Sequence, residues 1–286
     1  MTWTDRRRAF RSLLAGSACL HPASVFDPIS ARIAEDLGFE SGMFAGSVAA
    51  LTVLGAPDLV VITLTEFAEQ IRRMTRATAR LPLLVDADHG YGNALNVMRT
   101  VQELEVAGVA ALTIEDTLLP RAYAETRPQL LAPEEGLGKI RAALAARSDP
   151  GLVIVARTGA LAVSGLDDAV ARARLYAEAG ADALFFTGVK TLDQVKALHA
   201  ATGRPLILGG TDGTLPPQAL AEAGVRLALQ GHHPFMAAVQ ALHETLAALR
   251  AGTPPGSLVN QPPAALMKQL TREAGYAAAT RDFLGG

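Results

Sequence analysis

Short apolar runs alternate with amphipathic stretches along the whole chain. The runs fall at 19–25, 42–47, 81–86, 111–115, 152–157, 181–186, 205–208 and 226–229. Several are apolar without a break, the pattern of parallel strands buried on both faces. Between them the period changes. Over 93–107, Ala94, Val97, Met98, Val101 and Leu104 share one face at helical spacing. Pro133-Glu134-Glu135 opens another helix, with proline in its first turn and acids where the helix dipole favours them. Thr63-Leu64-Thr65-Glu66 has the spacing of a capping box. Ala107-Gly108-Val109, Ala179-Gly180-Ala181 and Ala223-Gly224-Val225 each place a glycine just past a helix end, where it takes the left-handed conformation and permits a short loop into the next strand.

Eight strand–helix units without a break in composition predict one closed (β/α)8 barrel of the TIM type over 1–252. A doubly wound open sheet is the alternative. Residues 253–286 begin Thr253-Pro254-Pro255-Gly256 and carry a second proline pair, Pro262-Pro263. They read as an arm of the same domain, with a helix at 264–274 that packs on a partner subunit. The stretch 47–64 is apolar enough to resemble a membrane span, but Gly55, Pro57 and Asp58 interrupt it, and a loop between strand and helix is expected. Near the start, Arg6-Arg7-Arg8-Ala9-Phe10 before Leu13-Leu14-Ala15-Gly16 faintly resembles a twin-arginine export signal. Arg11 breaks its apolar part, so an amphipathic first helix is expected instead.

Composition narrows the function. With 286 residues the chain can bury a large core, and with 50% hydrophobic but only 5% aromatic residues that core is aliphatic. The 26 basic and 28 acidic residues leave a net charge of −2 with no long block of one sign, which argues against nucleic acid as a partner. One cysteine, Cys19, excludes an internal disulfide and a multi-cysteine metal site, and it fits a reducing cytoplasm.

In a barrel, active-site residues lie at the C-terminal ends of strands. The polar residues gather there: Gly46-Ser47, Asp86-Ala87-Asp88-His89-Gly90-Tyr91-Gly92, Glu115-Asp116, Arg157 and Gln230-Gly231-His232-His233. Side chains two apart on a strand share a face, so Asp86 and Asp88 aim at one place. With Glu115 from the next strand they offer hard oxygen ligands suited to Mg²⁺ or Mn²⁺. An Asp-x-Asp pair alone more often caps loops; the acids next door and the glycines that follow shift the balance. Arg157, at the end of an apolar strand, needs a partner. It either bonds a substrate carboxylate or forms a salt bridge with Glu115 or Asp116. Gly46 and Ser47 offer a backbone N–H and a hydroxyl to an anion. Of the six histidines, His89 and His232 stand at strand ends, His232 in the better position.

These residues also carry a family resemblance. Ser24-Val25-Phe26-Asp27-Pro28-Ile29-Ser30-Ala31-Arg32, Gly46-Ser47, the 86–93 stretch through Asn93, Thr113-Ile114-Glu115-Asp116 and Ala156-Arg157-Thr158 resemble the isocitrate lyase / phosphoenolpyruvate mutase superfamily over about 11–252. Asp88-His89-Gly90-Tyr91-Gly92, Glu115-Asp116-Thr117-Leu118-Leu119-Pro120 and Gly231-His232 are similar to its bacterial oxaloacetate decarboxylase branch. The resemblance implies an eight-stranded barrel with its last helix exchanged between subunits, assembled as a homotetramer. It implies Mg²⁺ or Mn²⁺ on Asp86, with Asp88 and Glu115 acting through water, and substrate contacts from Ser47, Arg157 and His232. The implied reaction is decarboxylation of oxaloacetate, a small 2-oxo acid, to pyruvate and CO2.

Departures from the family's pattern keep rivals in view. Lyases of the superfamily carry a Lys-Lys-Cys-Gly-His loop after strand 4; here the stretch is Pro120-Arg121-Ala122-Tyr123-Ala124-Glu125, without a thiol, lysine or asparagine. After Arg157-Thr158 comes Gly159 rather than Asn or Asp, and Gly209-Gly210-Thr211-Asp212-Gly213 also differs. The competing expectations are a lyase or hydrolase cutting a carbon–carbon or carbon–phosphorus bond of another 2-oxo acid, and a non-catalytic barrel.

Overall fold

A computed structural model describes residues 1–210 and 213–285. In chain order, its first half runs α1 (Trp3–Ala15), β1 (Ala23–Ser24), α2 (Pro28–Asp36), β2 (Gly42–Ala45), α3 (Gly46–Ala49), α4 (Leu64–Ala77), β3 (Leu83–Asp86), α5 (Ala94–Val106) and β4 (Ala111–Glu115). Then come α6 (Pro133–Ala146), β5 (Val153–Thr158), α7 (Ala160–Val163), α8 (Leu166–Ala179), β6 (Ala183–Phe186), α9 (Leu192–Thr202), β7 (Leu206–Leu208), α10 (Pro217–Glu222) and β8 (Val225–Ala228). The chain ends in α11 (His233–Arg250), α12 (Ala264–Thr271) and α13 (Glu273–Leu284).

The eight strands are parallel and pair in sequence order. Leu20 closes the ring: its N–H donates to the Arg226 carbonyl at 2.9 Å and its carbonyl accepts from Ala228 N–H at 2.9 Å, a parallel bridge opposite Leu227. This is the expected (β/α)8 architecture, not the open sheet. Strand β1 is shorter than the 19–25 apolar run because Pro22 has no N–H for a ladder. The caps expected at Thr63 and at the three glycines form, and a further one appears at Asn93. Thr63 and Glu66 make a reciprocal capping box at α4, Asn93 caps α5, and Gly108, Gly180 and Gly224 have φ of 91°, 104° and 91°. The stretch 47–64 is not all loop. After β2 the chain continues directly into α3 and a π-helical turn, Ala50–Leu54, which stops where Gly55 takes φ 64°. Val48, Ala49 and Ala50 are buried, so burial of small apolar residues outweighs the weak local signal.

Two cores result. The larger lies between strands and helices. The smaller fills the barrel interior with Met43, Ala45, Leu84, Ala111, Val153, Val155, Ala183, Phe185, Ile207 and Leu227, and includes Phe10 and Leu14 from α1. Helix α1 therefore plugs the N-terminal end of the barrel. Its arginines hold it there. Arg6 donates to the Thr75 and Thr78 carbonyls, Arg7 to the Val109 and Glu105 carbonyls at 3.0 and 2.6 Å, and Arg11 to the Gly151 and Leu152 carbonyls. The arginine cluster is a barrel plug in this structure.

Beyond β8 the pattern of helices packed on strands ends. Helix α11 has no buried residue; Met236, Val239, Leu242, Leu246 and Leu249 are exposed along it. The helix expected at 264–274 is broken at Arg272, which takes φ 59° and separates α12 from α13. Arg272 bonds both carboxylate oxygens of Asp36 at 2.7 Å, and Arg32 donates to the Leu270 carbonyl at 2.7 Å, so α12 returns to α2 of its own chain. No helix among the described residues is long and apolar enough to cross a membrane.

Candidate active site

The interior core predicts the site by simple counting. On β2 the inward residues Met43 and Ala45 lead to Ser47; on β3, Leu84 leads to Asp86; on β4, Ala111 leads through Thr113 to Glu115; on β5, Val153 and Val155 lead to Arg157. Successive side chains alternate faces, so the same inward rows that fill the barrel deliver these groups to its C-terminal mouth. Strand register sets them side by side. Ala45 pairs with Asp86, Asp86 with Thr113, and Glu115 with Arg157.

Asp86 is buried. Its Oδ1 accepts from Thr113 Oγ1 at 2.5 Å, and its Oδ2 from the Arg157 guanidinium. Arg157 Nε lies 3.3 Å from Glu115 Oε2, which also accepts from Thr117 Oγ1 at 3.0 Å. The guanidinium stands 5.3 Å from the Phe185 ring centroid. Of the partners expected for Arg157, Glu115 is correct and Asp116 is not; Asp86, unanticipated, is the nearest. The surrounding carboxylates raise the Arg157 pKa against the opposing effect of burial.

Asp88 arrives by a different route from the one alternation suggests. Strand β3 ends at Asp86, and Asp88 has φ 47°, a left-handed turn outside the strand. The turn still brings its carboxylate back to the cluster, against Gly46. A Cβ at position 46 would run into that carboxylate, which is the physical reason for glycine there. Burial first, then Asp86 and Glu115, push Asp88 well above the usual carboxylate range. Glu115 is also raised, by burial first, with Asp86 adding to it and Arg157 opposing. Two of the three buried carboxylates, Asp86 and Glu115, thus share one guanidinium, and Asp88 makes no ion pair among the described residues.

His232 immediately precedes α11 and closes the other side of the mouth. Its Nδ1 is 2.8 Å from Ser24 Oγ and its Nε2 is 3.2 Å from Ser47 Oγ. Burial lowers its pKa against the pull of Asp86 and Asp58. Ser24, Ser47, Asp86, Arg157, Phe185, Thr187 and His232 line a cavity of about 170 Å³. Of the expected group, Ser47, Asp86, Arg157 and His232 line this cavity, while Gly46, Asp88 and Glu115 lie beside it, Glu115 against Arg157 and Gly46 against Asp88. His89 is not part of the cavity wall. It is buried, its carbonyl accepts from Lys139 Nζ at 2.8 Å, and desolvation and Lys139 lower its imidazole pKa to about 4.

The departures have local explanations. A Cβ on Gly209 would approach the Phe185 ring at 2.6 Å, so glycine is required by that packing. Gly159 has room for a side chain, with only Thr187 Oγ1 at 3.6 Å. Thr211 and Asp212 lie outside the described residues. Cys19 sits apart from the cavity and burial raises its thiol to about 11. Sequence reasoning gave no role to Thr113 or Phe185, although both stand on inward rows. It also gave none to Ser24, whose partner is 208 residues away in sequence.

A closed barrel whose interior rows finish in carboxylates, a guanidinium and hydroxyls around a small cavity has the architecture of an enzyme for a small anion. The chain belongs to the phosphoenolpyruvate phosphomutase family, whose model matches residues 10–250. It is similar to the oxaloacetate decarboxylases of Rhodopseudomonas palustris strains BisA53 and BisB18. The two are 62% and 60% identical over 286 residues, covering 100% of this chain and 99% of each relative. Among solved structures it is similar to a phosphonopyruvate hydrolase in complex with oxalate and Mg²⁺, with a TM-score of 0.85 and 31% identity over 99% of this chain and 100% of that one.

Proposed function

We propose that this protein is a divalent-metal-dependent oxaloacetate decarboxylase, a carboxy-lyase releasing pyruvate and CO2. One observation carries the metal. Asp86, Asp88 and Glu115 are buried in one cluster whose single guanidinium pairs with Asp86 and Glu115, leaving an excess of two formal negative charges when all three are ionised, a state that burial makes costly. A divalent cation would cancel that excess, and hard oxygen donors suit Mg²⁺ or Mn²⁺. Of the three acids only Asp86 lines the cavity, which supports Asp86 as the direct ligand, with Asp88 and Glu115 acting through water. A cation held there supplies Lewis-acid stabilisation of the negative charge that grows on the substrate's keto side as CO2 departs.

The chain's own groups do the rest. Thr113 orients Asp86 through its 2.5 Å hydrogen bond. Arg157 holds the acids in place and presents its remaining N–H groups to a substrate carboxylate. Ser47, backed by His232, contributes a polar hydrogen at the opposite wall, and Phe185 walls off water beneath the guanidinium. Breaking the bond by loss of CO2 requires no covalent nucleophile, in keeping with a raised, remote Cys19 thiol and a 120–125 loop without cysteine. Cleavage of isocitrate-type substrates by a thiol acid/base has no carrier here.

The same reading extends to assembly and place. The exposed apolar face of α11 supports exchange of that helix between subunits in a homotetramer, with 1–252 as barrel and 253–286 as arm. Its engagement of the Arg6, Arg7 and Arg11 side chains makes α1 part of the fold, and one cysteine suits the cytoplasm. The test is release of pyruvate and CO2 from oxaloacetate with and without Mg²⁺, beside glyoxylate release from isocitrate-type substrates. Decarboxylation lost on chelation supports the proposal. Glyoxylate or phosphate release instead would move the enzyme to another bond, and failure of calorimetry to detect Mg²⁺ or oxalate would leave a non-catalytic barrel.

A further inference from the structure

The Ser24–His232 contact joins the first and last strand ends at the barrel mouth. Ser24 ends β1, while His232 follows β8 and is 208 residues away in sequence. The ring is held on both sides by hydroxyls, Ser24 Oγ at 2.8 Å from Nδ1 and Ser47 Oγ at 3.2 Å from Nε2. No other hydrogen-bond partner for either hydroxyl is found among the described residues. A neutral imidazole has one N–H and one lone pair, and a hydroxyl has one proton to give. The three groups therefore form a chain with only two possible directions. In one, Ser24 donates to Nδ1, Nε2–H donates to Ser47, and the Ser47 proton is left to point into the cavity. In the other every bond is reversed, and Ser47 spends its proton on the ring and faces the cavity with lone pairs alone.

The cavity selects between them. Its occupant, on the function proposed above, is an anion, and lone pairs turned toward a carboxylate or a developing oxyanion repel it. We propose that Ser24 is a positioning residue that sets the direction of this chain: by donating to Nδ1 it holds His232 as the Nε2–H tautomer, so that Ser47 donates its hydroxyl proton to the bound 2-oxo acid. In this arrangement the Ser24 proton goes to the ring and not to the substrate. Ser24 acts by fixing which of its neighbours' protons faces the cavity. The burial that lowers the His232 pKa favours the neutral ring that such a chain requires.

The experiment is histidine-selective ¹⁵N labelling of the full-length protein, with ring nitrogen shifts read near neutral pH. His232 signals are assigned by their loss in His232→Asn. The expected wild-type spectrum shows His232 as Nε2–H, with Nδ1 hydrogen-bonded. Ser24→Ala shifts the ring toward a mixture of tautomers, and Ser24→Thr, which keeps the hydroxyl, restores the wild-type pattern. Oxaloacetate turnover by Ser24→Ala falls up to about tenfold in kcat with a smaller change in KM, the scale of one lost hydrogen bond, and Ser24→Thr recovers it. A wild-type ring protonated at Nδ1 overturns the proposal without any variant, as does a Ser24→Ala spectrum identical to wild type. Should the wild-type protein fail to decarboxylate oxaloacetate, the function proposed above falls while the tautomer measurement still decides the role of Ser24.

Discussion

Glu115 and Asp116 are adjacent acids at the end of one strand, and they lead opposite lives. Glu115 closes an inward row. It shares Arg157 with Asp86, and burial and its acidic neighbours raise its pKa. Asp116 points outward into the helix layer. Its Oδ2 accepts from Thr158 at 3.1 Å, Arg172 at 3.0 Å and Tyr176 at 2.7 Å. One carboxylate sits in a cluster short of positive charge; the other is paired and hydrogen-bonded by its own surroundings. The fold stores a binding demand on one face of the strand and a structural clamp on the other, and a one-residue step separates them.

The sharpest way to break the comparison is Asp86→Ala. Losing the metal anchor should cut Mg²⁺-dependent decarboxylation by about a thousandfold or more, since Lewis-acid stabilisation is worth several kcal/mol. The circular-dichroism melting curve should stay close to wild type; an unaffected rate would remove Asp86 from the site. Asp116→Ala should do the reverse. It strips the buried Arg172 guanidinium and the Tyr176 hydroxyl of a partner and should cost about 3 kcal/mol of stability by denaturant titration. The metal dependence of whatever protein remains folded should be unchanged, and a lost Mg²⁺ response with intact stability would contradict the division between the two acids.

A subtler variant is Gly46→Ala. Its methyl group displaces the Asp88 carboxylate, and Mg²⁺ affinity by calorimetry should weaken about 10- to 100-fold, the range for disturbing groups that act through a ligand's water. Unchanged affinity would mean that Asp88 plays no part in holding the ion. The smallest effect is expected at the opposite rim. Hydrogen bonds from Arg7, Thr4 and Gly151 outweigh desolvation and hold Asp149 down to about 2. A carboxylate depressed in the folded state contributes stability above its unfolded value near 3.8, and that contribution is lost as pH falls toward 2. Asp149→Asn should therefore narrow the stability difference between pH 5 and pH 2.5 while leaving turnover at neutral pH alone. An acid-unfolding midpoint identical to wild type would show that the α1 plug does not depend on this charge.

Much of this was legible before any coordinates. Parallel strands, the helix cap at Thr63, and the glycines at 108, 180 and 224 follow from local rules because each depends on residues within one turn or one loop. Ser47, Asp86, Glu115 and Arg157 were found because a barrel delivers strand-end residues to a common rim. Other features were out of reach. The left-handed turn at Asp88, the break at Arg272 and the helical start of 47–64 each run against a local expectation, and tertiary contacts hold them. Arg6 and Arg7 resembled part of a signal because nothing near them in sequence shows that the barrel floor has free carbonyls to receive them.

By itself the sequence determined the alternation of elements, the aliphatic core and the types of group at each strand end, since these rest on periodicity and short-range chemistry. Only the closed ring decided that Arg157 would face Asp86 rather than Asp116, that Ser24 would meet His232, and that α1 would fill the barrel's lower end. Those outcomes depend on which inward rows become neighbours after eight strands curl shut. Strand register and closure, properties of the whole chain, settle that.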